Sequence, residues 1–403
     1  MHWPGLATLA PASDLRGRPA GYLDWLAMST NSNPAQSASA GQPEPSRPLR
    51  VGVIGLGFAG QAALKGFLAL PDVDVIALAG LEADRLAELG KEHSIPHLYA
   101  RWQDLLERDD LDAVSVATPT HLHAPIAIAA LEGGRHVLSE KPLARSGEEA
   151  QAIVDAAVKA NRVLKVCFNH RERGDVAILK RHLDAGQLGR VYYAKAHWMR
   201  RNGIPGMGSW FTNREMAGGG PLIDLGVHML DMALYLLGEP RVLSASASTF
   251  SELGPRGLGG SEYSAKQTVG SAYEVEDLAT AFLRLEGGGV LQLETSWATF
   301  RKPGDDFGVS LYGTDGGAEI GVENYAAEDT LRIYTDVAGA PAEVRPRVIR
   351  GEGHRAVVRE FVKVVRGGDW SAYVGRDGLA RARIIDACYQ SSLEGREIPV
   401  IEA

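Results

Sequence analysis

Val51-Gly52-Val53-Ile54-Gly55-Leu56-Gly57-Phe58-Ala59-Gly60 is the stretch that decides the front half of the chain. A short apolar run enters a G-x-G-x-x-G loop, and a helix-like segment over 61–70 follows. The first glycine permits a tight turn, the second lets backbone approach a pyrophosphate, and the third lets helix and strand pack closely. Phosphates then sit where a helix N-terminus offers unpaired N–H groups. A glycine turn used only for packing is the alternative, and the strand–loop–helix context favours the dinucleotide reading. Gly55, Gly57, Phe58, Ala59 and Gly60 are therefore candidate cofactor contacts.

Strand and helix signals alternate outward from this loop. Apolar runs at 51–54, 73–79, 113–117, 137–138 and 163–168 are separated by helical segments at 61–70, 84–93, 103–106, 125–132 and 147–160. That alternation predicts a doubly wound parallel sheet, with ligands at the carboxyl ends of its strands. After Asn169 the pattern changes. Helical signals at 175–185 and 221–237 sit among β-rich runs at 191–199, 242–250, 276–286, 290–300, 307–312 and 330–335. These predict a mainly antiparallel, open-faced sheet. The glycine-rich stretch 251–260 reads as a mobile loop, and helices at 354–366 and 376–393 close the chain. The expected organisation is an extension over 1–48, a Rossmann domain over 49–168, and an α+β substrate domain over 169–403. The final helices of that domain return toward the first. Residues 28–48 are rich in Ser, Asn, Ala, Gln and Pro, the composition of a disordered linker, and Met28-Ser29-Thr30 reads like a natural start of translation.

Composition narrows the function classes. The chain has 403 residues and a formal charge of -8 without a basic block, which argues against nucleic acid or an anionic membrane as partner. No apolar run reaches transmembrane length, and the first 48 residues lack a signal-peptide pattern. Cys167 and Cys388 are the two cysteines, expected as buried thiols in a cytoplasmic protein.

Three further clusters carry chemistry. Thr118-Pro119 with His123 follows one predicted strand, and Glu140-Lys141-Pro142 follows the next. Gly219, Gly220, Asp224, Gly226 and His228 form a G-G-x-x-x-D-x-G-x-H string, with Asp224 and His228 expected on one helical face. Taken singly, Lys141 reads as a surface lysine and His228 as a satisfied core histidine.

Together with the glycine loop, these motifs resemble the Gfo/Idh/MocA oxidoreductases, over residues 50–399. The resemblance implies an NAD(P)-dependent enzyme that oxidises or reduces a secondary hydroxyl or ketone of a sugar, glycoside or cyclitol, with C3 of a pyranoside the favoured position. It implies no metal. Lys141, Asp224 and His228 would surround the reacting carbon: His228 as candidate base, Lys141 stabilising the substrate oxygen, Asp224 orienting His228. Whether His228 or Lys141 takes the proton is open at this level, and Pro142 raises the chance of a cis peptide. Thr118, Pro119, His123 and Glu140 would line the cofactor. Asn169, Arg171, Trp198, Arg200 and Trp210 would contact the sugar through ring stacking and hydrogen bonds, with Arg201 nearby. Glu82 two residues after Gly80 favours the ribose diol of NAD, whereas Gly80 with Arg85 would make room for the phosphate of NADP. The alternative activity is an NAD-dependent glycoside hydrolase working by transient oxidation and elimination. The resemblance also implies a homo-oligomer, dimer or tetramer, for which an open-faced sheet would suit an interface.

Overall fold

The computed structural model describes residues 47–260 and 273–401. The expectations for 1–46, including the start at Met28, lie outside the described residues.

The first half builds on β1 (Leu49–Ile54), α1 (Phe58–Leu68), β2 (Val73–Ala79), α2 (Ala83–Glu92), β3 (His97–Tyr99), α3 (Trp102–Leu106), β4 (Ala113–Val116), α4 (His123–Glu132), β5 (His136–Ser139), α5 (Gly147–Ala160) and β6 (Leu164–Val166). The strands form one parallel sheet in the order β3-β2-β1-β4-β5-β6. Strand order reverses between β1 and β4, and that crevice is where such sheets take ligands. Helix α5 shows how local signals set boundaries. The Ser146 hydroxyl accepts from the Glu149 N–H, Glu148 and Glu149 face the positive end of the dipole, and Asn161 closes the helix in a left-handed conformation. The short edge strand β3 escaped the sequence reading, because three residues hold too little pattern.

The second half adds α6 (Gly174–Asp184), β7 (Val191–Arg200), α7 (Arg214–Ala217), α8 (Val227–Leu236), β8 (Val242–Phe250), β9 (Leu278–Leu285), β10 (Val290–Ser296), β11 (Asp305–Gly313), β12 (Gly317–Glu323), β13 (Leu331–Val337) and β14 (Ala340–Val344). Helices α9 (His354–Gly367) and α10 (Arg376–Glu394) follow, then β15 (Ile398–Pro399). Nine strands pair as β14-β13-β12-β11-β7-β10-β9-β8-β15, all antiparallel except the β7–β10 pair. One face is buried through Ala194, Ala196 and Trp198 of β7, Leu291 and Leu293 of β10, and Phe307, Val309 and Leu311 of β11. Helix α8 packs on that face and is buried nearly all round, as suits a largely apolar sequence interrupted by His228 and Asp231. Helix α9 crosses back to α1, where the Phe67 and Phe361 rings meet edge to face at 6.2 Å.

The stretch 251–260 differs from its expectation. Leu253 and Gly254 donate backbone N–H bonds to Asp277 Oδ2 at 2.6 and 2.9 Å, and Gly259 accepts from Gly203 and Ile204. Glycine content reads as mobility in sequence, but here a buried carboxylate ties the loop down.

Two glycines of the loop should respond oppositely to a methyl group. A Cβ at Gly60 would lie 1.9 Å from the Gly55 carbonyl oxygen, whereas a Cβ at Gly57 meets nothing within 4 Å. Gly60→Ala is expected to lower the melting temperature by several degrees or prevent folding, and Gly57→Ala to leave it within about 1–2 °C. Thermal melts of the two variants check this.

Candidate active site

The glycine loop ends in a helix N-terminus that is shaped for an anion. Gly55 has φ +94° and sits against the Ala117 carbonyl, where a Cβ would approach to 2.2 Å. Gly57 caps α1, its Cα faces open space, and no acidic residue occupies the first helical turn. A pyrophosphate fits this cradle of free N–H groups. The cradle opens into a cavity of ≈ 1230 Å³ at the carboxyl ends of the parallel strands, which also reaches the second sheet.

At one end the cavity is lined by Gly80, Leu81, Glu82, Arg101 and Trp102. Glu82 caps α2 there. Arg85 turns away from the cavity to Glu88 and Gln61. A Cβ at Gly80 would lie 2.6 Å from the buried Leu56 side chain, so an acidic residue has no room at that position. Phe58, Ala59, Thr118 and Pro119 line the middle. His123 also borders it but is fully buried, its ring nitrogens 2.8 Å from the Pro142 carbonyl and 2.9 Å from the Thr118 carbonyl. Its side chain sits between the two loops that carry Thr118 and Lys141. Burial first of all depresses its pKa, and a neutral ring has one N–H to donate to one of these carbonyls.

At the other end, Lys141 projects from the carboxyl end of β5, and the Lys141–Pro142 peptide is cis. Its Nζ donates to Asp224 Oδ1 at 2.9 Å and to the Asp224 carbonyl at 3.0 Å. The other carboxylate oxygen accepts from Trp297 Nε1 at 2.9 Å. Burial pushes the Asp224 pKa up, but the Lys141 charge and its hydrogen bond, Trp297 and Arg200 together hold it below the usual carboxylate range. Asp224 therefore aims Lys141 and makes no hydrogen bond with His228. The physical reason is local: Leu222–Gly226 is a π-helical turn, so Asp224 and His228 lose the alignment that α-helical spacing would give them. The turn is itself held by buried Glu276, which accepts from Gly220 and Leu222 N–H at 3.0 Å and from the Tyr389 hydroxyl at 2.9 Å.

His228 lines the cavity with a buried Nδ1 that has no hydrogen-bond partner. Its ring lies 4.7 Å from that of His170 and 5.7 Å from Trp198. Burial, then the Lys141 charge and the His170 neighbour, push its pKa well below 6.5. His170 falls to about 3 for the same leading reason, burial. Both rings are neutral at ordinary pH, in place of the near-neutral titration that the free side chain has.

The aromatic wall of the cavity is Trp198, Phe307 and Tyr325, joined by Trp210, Asn169 and Arg173. Two expected sugar contacts lie elsewhere. Arg171 enters a buried ion network with Asp231, Asp377 and Glu239, shared by Arg381. Arg200 lies over the Trp198 ring at 5.2 Å, pairs with Asp305 and donates to the Tyr325 hydroxyl at 2.8 Å, supporting the wall from behind. Arg201 stacks on Phe300 at 4.4 Å. Trp297, His354 and Tyr325 are functional candidates that the sequence did not single out. His354 starts α9 and reaches the cavity only because that helix folds back, with Nε2 3.6 Å from Glu140 Oε1.

Comparisons with known proteins identify the family. Residues 49–168 match the family model described as oxidoreductase family, NAD-binding Rossmann fold, and residues 176–319 match the GFO/IDH/MocA C-terminal domain. The chain is 32% identical to D-glucoside 3-dehydrogenase of Escherichia coli, over 88% of this chain and 98% of the relative. It is 34% identical to levoglucosan dehydrogenase of Pseudarthrobacter phenanthrenivorans, over 88% and 99%. A solved levoglucosan dehydrogenase in complex with NADH and levoglucosan superposes with a TM-score of 0.76 at 26% identity, covering 88% of this chain and all of that one. The chain belongs to the Gfo/Idh/MocA oxidoreductase family and carries its NAD-binding Rossmann fold.

Proposed function

We propose that the protein is an NAD-dependent dehydrogenase that oxidises a secondary hydroxyl of a sugar, glycoside or cyclitol, with C3 of a pyranoside the favoured carbon. The observation that carries this reading is the single cavity that joins the glycine-loop cradle to Lys141, Asp224 and His228. When bound, NAD accepts a hydride from the carbinol carbon. Lys141, aimed by Asp224, donates a hydrogen bond to the substrate oxygen and stabilises its developing negative charge. His228, kept neutral by its surroundings, is the candidate acceptor of the hydroxyl proton. Trp198, Phe307 and Tyr325 give that end of the cavity an aromatic border against which a sugar ring could pack, and Asn169 and Arg173 offer polar contacts. The relatives named above act on a glucoside and on an anhydrosugar, which supports a carbohydrate here. Hydrolysis by transient oxidation is the competing reading, and net NADH formation separates the two. Steady absorbance growth from NADH with methyl glucosides, levoglucosan or inositols is the expected result; glycoside cleavage without net NADH would overturn the dehydrogenase.

Glu82 on the cavity wall, with Arg85 engaged elsewhere, supports NAD over NADP. Glu82→Ala is expected to weaken NAD binding roughly 10-fold or more, as loss of a charge-assisted hydrogen bond of about 1.5–3 kcal/mol implies. Calorimetry with both cofactors checks it. The outward face of the nine-stranded sheet carries Phe282, Tyr312 and Tyr334, all partly exposed, which supports a homo-oligomer. Among the described residues no helix is long and apolar enough to cross a membrane. With both cysteines unpaired and buried, this supports a cytoplasmic setting.

Lys141→Met leaves the buried Asp224 carboxylate with one donor, Trp297. A stability loss of about 1–3 kcal/mol is expected, together with a fall in turnover of roughly 10²–10⁴-fold. Combining Lys141→Met with Asp224→Asn should recover most of the stability and none of the turnover. Denaturant titrations beside initial rates distinguish the two effects.

The depressed histidines set the acid side. Because their folded-state pKa lies below the unfolded value of about 6.5, the stability they contribute is whole above that pH. It is lost as pH falls, since only the unfolded chain takes the protons. Turnover, which needs neutral His228, should hold well below pH 6.5. Melting temperatures from pH 7 to 4 should fall less steeply in His170→Phe than in the parent protein.

A further inference from the structure

One cluster in the cavity wall takes no part in the hydride and proton transfers proposed above, although Glu140 belongs to the expected cofactor lining. Glu140 follows β5, Cys167 follows β6, and His354 opens α9, so three separate elements bring a carboxylate, a thiol and an imidazole together. Their ligand atoms all lie within 4.8 Å of one another. The Glu140 carboxylate is divided: Oε2 accepts from the Lys141 backbone N–H at 3.3 Å, while Oε1 faces His354 Nε2 at 3.6 Å. That second separation is close to the roughly 3.5 Å edge of a tetrahedron built on zinc–ligand bonds of about 2.0–2.3 Å. Cys167 closes the third corner from the buried side, while Glu140 and His354 both border the open cavity. A fourth position is thereby left to solvent.

We infer that Glu140, Cys167 and His354 form a binding site for a borderline divalent cation, with Zn²⁺ the best match. Sulfur and imidazole select Zn²⁺ or Co²⁺ over Mg²⁺ and Ca²⁺, which take oxygen ligands. Three protein ligands with one open position is the arrangement that zinc accepts without further help from the fold. Occupation would engage two side chains that border the proposed cofactor cavity. If that reading of the cavity holds, metal and NAD compete.

Co²⁺ titration of the chelator-treated protein tests the site, because thiolate ligation gives a near-ultraviolet charge-transfer band. The expected result is a band that saturates at one Co²⁺ per chain, is displaced by Zn²⁺ and persists in Cys388→Ser, whose thiol is buried in α10. Cys167→Ser should abolish the band, and His354→Gln, at a partly exposed helix start, should weaken Co²⁺ affinity by at least about tenfold. Absence of the band in folded parent protein, or its persistence in Cys167→Ser, would overturn the site. NAD⁺ should raise the apparent Co²⁺ dissociation constant. If NAD⁺ binds by calorimetry and the Co²⁺ affinity does not move, the competition is overturned while the NAD reading stands.

Discussion

The ion pair between Lys141 and Asp224 is the contact on which the site depends. It spans the two halves of the chain, from the carboxyl end of β5 in the parallel sheet to the π-helical turn before α8 on the second sheet. Neither group is well solvated, with side-chain exposures of 15% and 19%, and removing either partner would leave the other poorly compensated. Trp297, fully buried at the end of β10, holds the far carboxylate oxygen. The pair thus fixes the aim of the lysine, and places it where the glycine-loop cavity meets the aromatic wall.

Packing around this pair determines which neighbouring groups carry charge. His123, His170 and His228 are all shifted toward the neutral form by burial before any other cause. The Lys141–Asp224 pair therefore lies beside rings that burial shifts toward the neutral form, with Arg200 also acting on it. Such an arrangement favours proton acceptance by an imidazole and hydrogen-bond donation by the ammonium, because a second positive charge beside Lys141 is costly to bury. The glutamate that holds the π turn works similarly. Glu276 receives three donors, and Tyr389 from α10 supplies one of them, so the C-terminal helix supports the loop that presents Asp224.

Much of this was legible in the sequence. Gly55, Gly57 and Gly60 marked the cradle by their spacing between strand and helix; Gly60 answers a local clash with the Gly55 carbonyl and Gly55 a close approach to Ala117, whereas at Gly57 a Cβ meets nothing. Helix α5 was legible from its capping serine and glutamate. Lys141, Asp224 and His228 were named as candidates through the resemblance, but their mutual geometry was not legible. A π-helical turn leaves no pattern in composition, so Asp224 was expected to orient His228 and instead orients Lys141. Arg171 was expected at the ligand through the resemblance and Arg85 as a candidate for the phosphate of NADP; their partners, Asp231 and Gln61 among them, become neighbours only after folding. His354 and Trp297 were invisible for the same reason, as chain reversal by α9 and the pairing of β10 with β7 bring them in. Strand β12 was missed although Ala318, Ile320 and Val322 alternate inward, because Gly317 and Gly321 masked the period.

The most direct test of the central claim is a crystal structure of the protein with NADH and a non-reacting glycoside or cyclitol. The account predicts the pyrophosphate at the N-terminus of α1 and a ring hydroxyl within hydrogen-bond distance of both Lys141 Nζ and the His228 ring, its carbon facing the nicotinamide. A sugar hydroxyl that touches neither Lys141 nor His228, with the nicotinamide directed elsewhere in the cavity, would contradict it.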